Sequence, residues 1–151
     1  MDNAYYYSVA KDEGCKQYTD AEQKHLELIQ GVIGRLAHNS FLLKGWSVSL
    51  VAAILTLASR DPYCYLVGIA VFPALVFWGL DAFYLGQERN FRDMYKDARE
   101  GKIEILTIDS DCYESGFKGW LGSLFGRSVW PLHVVVVAIV IIATLGSCIG
   151  I

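Results

Sequence analysis

Apolar positions along this chain gather into three stretches with little polar interruption, 41–58, 63–80 and 129–151. A bilayer core of roughly 30 Å takes about 20 residues of helix at 1.5 Å each. The third stretch runs for 23 residues with no formal charge apart from the titratable His133, and the first two run for 18 each. Helices that are apolar on every side over such lengths have lipid as their solvent. The pattern predicts three membrane spans, at 41–58, 63–85 and 129–151, the first two joined by the short linker 59–62.

Helical periodicity continues beyond the first two spans. Thr19 followed by Glu22 forms a capping box that starts a helix. From there Leu26, Ile29, Ile33 and Leu36 recur at 3-4-3 spacing, an a/d seam two heptads long. No proline intervenes before Pro62, so one helix is expected from about residue 20 to 58, about 58 Å long, half of it outside the bilayer. Gly31 and Gly34 weaken that continuity, and a bend is allowed near His38, Asn39 and Ser40. The second span carries Pro73, where a kink is expected. It then runs on with Tyr84, Glu88, Phe91, Tyr95 and Ala98 on one face and Glu88 placed to pair with Arg92, and closes at Gly101. Residues 19–101 thus read as an antiparallel helical hairpin with a polar stalk, in which the Leu26–Leu36 seam packs on the Phe91/Tyr95 face. A two-helix stalk this short is marginal by itself, which argues for packing against other subunits.

The remainder is less regular. Residues 1–18 read as an irregular arm, 103–108 as a short strand or extended loop, and 109–115 as a turn. Segment 117–125 is aromatic and apolar with one basic residue, the composition of a segment lying among lipid headgroups, with Trp120 and Trp130 as interface anchors. The fold class expected is an all-α integral membrane protein: a long helical hairpin, a 102–128 interfacial loop and a third carboxyl-terminal span.

Charge sets the expected orientation. Four Lys or Arg precede the first span and seven lie between the second and third, against Arg60 alone in the hairpin linker. Basic loops stay cytoplasmic, so the amino terminus and the 87–128 segment are expected inside and the carboxyl terminus outside. The start of the chain lacks a basic n-region followed by an apolar core, unlike a signal peptide. Four cysteines, Cys15, Cys64, Cys112 and Cys148, show no metal-ligand spacing; they read as small apolar fillers, with an outer Cys64–Cys148 disulfide as the alternative.

Lys44 and Asp81 are the most pointed pair. In a tight hairpin they lie within about 6 Å of the same depth, so they fit either a register-locking ion pair or a charged pore lining. His38, Asn39 and Ser40 form a polar belt at the mouth of the first span, and His38 with Ser47, Ser49 and Thr56 reads as a set of packing or pore-lining residues. Gly45, Ser49 and Ala53 form a small-residue ridge that permits close helix approach, and Gly146 with Gly150 forms a GxxxG. His133 reads as packed and neutral or as a pH-responsive switch. The basic run Arg89, Arg92, Lys96 and Arg99 reads as a solvated stalk face, neutralised by interspersed acids, or as a holder of anionic headgroups. No GxSxG, HExxH, Walker loop, Rossmann glycine pattern or CxxC occurs, and no catalytic residue, cofactor, metal or nucleic-acid partner is expected.

The segments NSFLLKGW (39–46) and FWGLDAFYLGQERNFRDMY (77–95) resemble a group of small, uncharacterised bacterial multi-span membrane proteins. More loosely, the hairpin layout is similar to the two-span, SLATT-type membrane effectors of bacterial conflict and antiphage systems. That resemblance implies an oligomer that breaches the membrane when a soluble sensor partner signals; a third span departs from the two-span pattern. The expected function is therefore a homo-oligomer forming or gating a pore, with a membrane anchor or adaptor for a soluble partner as the alternative.

Overall fold

The computed structural model describes residues 18–58, 64–105, 107–108, 113 and 116–149. Expectations for the amino-terminal arm, the 59–62 linker, the Gly146/Gly150 pair and a Cys64–Cys148 contact fall outside the described residues or side chains. Five helices follow in order: α1 (Asp20–Ala58), α2 (Cys64–Ile69), α3 (Val71–Glu100), α4 (Gly116–Leu124) and α5 (Trp130–Ile149). Three helical segments are long and apolar enough to cross a membrane: Asp20–Ala58, Val67–Glu100 and Trp130–Ser147.

Helix α1 runs unbroken for 39 residues from the predicted capping box. The Thr19 backbone N–H donates to Glu22 Oε2 at 2.7 Å, and the Glu22 N–H donates back to Thr19 Oγ1 at 3.3 Å. Its buried positions are His25, Ile29, Ile33, Ser40, Ser47, Val51 and Ala58. They recur at intervals of four and seven, so a single left-handed seam runs the whole helix, and α3 packs against it more extensively than any other element. At the polar end, Ile29, Ile33 and Met94 form a core that Phe91, Tyr95 and Ala98 flank. The expected seam holds for Ile29 and Ile33 with Phe91 and Tyr95. Leu26 and Leu36 are half-buried at its margins instead, because the stripe continues to His25 and Ser40. Met94, almost fully buried, completes that core with the two isoleucines.

The interruption of the second span lies at Ala70, one turn before Pro73. Proline has no N–H to give the Ile69 carbonyl, and its ring crowds that carbonyl. The chain closes a tighter turn there, with the Ala70 N–H donating to the Val67 carbonyl at 3.1 Å. Ala70 and Ala74, both fully buried, bring the backbone close to α5, where Val136 and Val140 join Val51 in the apolar core. Small residues let the two backbones approach closely, and in a membrane, where lipid supplies no hydrophobic drive between helices, such packing would be what holds them. The far end of α3 stops at Gly101, whose φ of 75° requires glycine. The Gly101 N–H donates to Ala98 and the Lys102 N–H to Asp97, a Schellman closure.

Between α3 and α4 the described residues form turns; Thr107 donates to the Glu104 carbonyl, and no strand forms among them. Of the two readings of 103–108, the described residues 103–105 and 107–108 take the loop: Ile103 packs on the polar-end core, whereas Ile105 and Ile108 stay exposed. Segment 117–125 is largely the helix α4, lying on α3 with Phe117 and Phe125 exposed. Two indoles tie it down: Trp120 Nε1 donates to the Gly79 carbonyl and Trp78 Nε1 to the Leu124 carbonyl, each at 3.1 Å. The chain leaves α4 through Gly126, where a Cβ would stand 2.6 Å from Leu85 Cδ2 and 2.9 Å from the Ser123 carbonyl oxygen.

Candidate functional site

One carboxylate, Asp81 on α3, is fully buried where the three long helices meet. Helix α1 presents Ser40 and Lys44 one turn apart on the face turned to it. Ser40 Oγ and Lys44 Nζ both donate to Asp81 Oδ1, the latter at 2.8 Å, and Lys44 Nζ also reaches Oδ2 at 2.7 Å. From α5, His133 Nε2 lies 3.0 Å from Oδ2, fully buried one turn after Trp130 opens that helix. Trp78 stacks on the imidazole at a centroid distance of 6.1 Å and 10° between planes.

The electrostatics explain this convergence. An isolated charge at such a depth costs several kcal/mol, and pairing plus full hydrogen bonding offsets that cost. Asp81 accepts from a hydroxyl, an ammonium and an imidazole, so both of its oxygens are satisfied. The Lys44 side chain remains 15 % exposed, its stem in the helix contact and its head on the carboxylate. The carboxylate as acceptor requires the hydrogen of His133 on Nε2. His133 Nδ1 is then a bare buried acceptor without a partner among the described residues.

Ser40 and Lys44 are 2.8 Å apart, but they do not make an activated nucleophile. Lys44 is the donor in each of its contacts and has no lone pair for the serine proton. No group of three or more His, Cys, Asp or Glu suited to a metal ion occurs among the described residues. The arrangement stores charge at the junction of three helices and ties each of them to the same atom pair.

Lys44 and Asp81, singled out from sequence, thus meet directly. The four residues His38, Ser47, Ser49 and Thr56 do not share a face. Ser47 is fully buried in the seam, its hydroxyl unpartnered among the described residues, whereas His38, Ser49 and Thr56 are exposed on the other side of α1. Helical geometry is the reason: two residues turn the side chain by about 200°, while the 11 and 7 residues separating the other three return it to one stripe. Gly45 lies on that stripe with no atom within 4 Å of where its Cβ would be. In the sequence His133 stands as an isolated histidine and Ser40 only as part of a polar belt, and no periodic signal marks Trp78. No protein-family model matches this chain, and neither does any curated protein or solved structure.

Proposed function

We propose that this chain is a homo-oligomeric membrane protein that forms or gates a pore, its copies meeting along the outer stripe of α1. The observation that carries this reading is the character of that stripe. His38, Gly45, Ser49 and Thr56 are small or polar, and they sit on the outside of a helix whose other outward positions include Phe41, Trp46 and Leu57, 64–72 % exposed. Small residues on a span permit close approach of a second helix, and polar ones gain partners there that lipid cannot offer. Within each copy the Ser40–Lys44–Asp81–His133 cluster holds three helices to one carboxylate, so that each subunit moves as a body. The membrane proposed is a bacterial inner membrane, with the stalk on the cytoplasmic side. A membrane-disrupting role in defence rests on the resemblance alone.

The test is the mass of the protein in nanodiscs together with its conductance in planar bilayers. Wild type is expected to be a defined oligomer that conducts. Ser49→Leu is expected to shift the mass toward the monomer and abolish conductance, while Phe72→Leu, at an outward position of α3, changes neither. A silent monomer would sink the pore and favour the adaptor reading, for which the exposed Ile105 and Ile108 between α3 and α4 are the supporting observation.

A further inference from the structure

Where α4 lies on α3 the two helices leave a cavity of about 480 Å³ between them. One wall carries Phe83, Arg89 and Asn90 from α3; the other carries Phe117 and Trp120 from α4, and no acidic residue among the described ones lines it. Asn90 is only 8 % exposed, and its carboxamide has no hydrogen-bond partner among the described residues. Arg89 donates weakly to Ser123 Oγ at 3.5 Å and has no carboxylate in ion-pair range among the described residues. Its neighbour Arg92, by contrast, is paired with Glu88 at 2.7 Å. A guanidinium with no carboxylate partner among the described residues and a carboxamide therefore share one concave site with aromatic rings.

Depth decides what such a site takes. Arg89 lies eight residues beyond the buried Asp81, about 12 Å further along α3 toward the polar end. That is headgroup level if the three long helices cross a membrane, and it is where α4 exposes Phe117 (71 %) and Phe125 (72 %). We infer that this cavity binds the headgroup of an anionic phospholipid, its phosphate taken by Arg89 and Asn90 and its acyl chains running past Phe83 and Phe117. An arginine fork matches phosphate oxygens in pairs, and the Asn90 carboxamide adds a second donor on the same wall. The two indole bonds of Trp78 and Trp120 hold α4 in place with the cavity already formed. The inference needs the membrane reading and is independent of any pore.

The test uses the full chain extracted from phosphatidylcholine membranes doped with phosphatidylglycerol, with retained lipids counted by native mass spectrometry. Wild type is expected to keep phosphatidylglycerol in preference to phosphatidylcholine. Arg89→Gln is expected to lower that retention roughly five- to tenfold, and Arg92→Gln to leave it unchanged. Gly122→Leu, which fills the cavity from the α4 wall at a position with open space around its Cβ, is expected to give the same loss with no change of charge. Helix content by circular dichroism checks that each variant folds. Equal retention of the two lipids by wild type, or retention untouched by both Arg89→Gln and Gly122→Leu, would overturn the assignment. So would displacement of the lipid by inorganic phosphate, which would mark a site for a soluble anion.

Discussion

Asp81 satisfies three donors drawn from two other helices, so its replacement affects more than one contact. In Asp81→Ala, Lys44 keeps its charge at the same depth with nothing to neutralise it, and Ser40 and His133 lose an acceptor. Removing one partner of a buried pair costs about 3–5 kcal/mol. Asp81→Asn keeps the shape but supplies a single acceptor oxygen for donors that now use two. Both variants are expected to unfold at lower denaturant in detergent, Ala more than Asn, when helix content is followed by circular dichroism. Lys44→Met combined with Asp81→Leu removes the charges but still strands Ser40 and His133, so only partial recovery is expected. Equal stability of all these variants and wild type would mean the cluster is not what holds the helices. Much of this cluster was legible beforehand. Lys44 lies three residues inside the start of its predicted span, Asp81 four from the end of its own, and His133 four from the start of the third. Antiparallel spans put equal counts at equal depth. The count pairs Lys44 with Asp81 and, applied once more, adds His133; what it cannot give is the rotation that turns all three inward.

At the level of elements, what could be read were local signals. The Thr19/Glu22 box and the Gly101 stop were visible because capping is written in residues three or four apart, and both form as expected. The break at Ala70 was displaced from its cause, since the missing N–H of Pro73 leaves its gap at the carbonyl four residues earlier. Met94 was missed because a single flexible side chain carries no periodic signature, although it completes the core with Ile29 and Ile33. The closing glycine carries a prediction. With φ at 75°, Gly101→Ala places a Cβ in the left-handed region at a cost of about 1 kcal/mol. The last turn of α3 is expected to fray, with faster amide exchange at Lys102 and Gly101, whose N–H groups close the helix. Unchanged exchange there would show that the turn is held by the side-chain bridges from Lys102 to Asp97 and Glu100 instead.

For the whole molecule, a hairpin whose spans cross a membrane has two halves that face different solvents, and this separates what needs a partner from what does not. Of the three apolar windows only 17 %, 28 % and 17 % is buried within the chain. In a membrane, lipid would cover the rest without penalty, so the exposed apolar surface of the spans is no argument for assembly. The polar half is a different case. Its core rests on Ile29, Ile33 and Met94, worth about 1.5–3 kcal/mol each when buried from water. Set against the entropy of ordering two helices, that is a marginal stalk. The outer stripe of α1 continues into this half through Gly31 and Gly34, around neither of which any atom lies within 4 Å of a Cβ position. If copies meet along the stripe, the stalk gains its missing contacts from the same assembly that joins the spans. Ser49→Leu, placed in the apolar half, is then expected to speed amide exchange across 20–36 and 88–100 by tenfold or more, about 1.4 kcal/mol, without touching a residue of the stalk. Measured by hydrogen exchange in nanodiscs, stalk protection that survives Ser49→Leu would show that each hairpin stands alone, and the argument for assembly would lose its support outside the membrane.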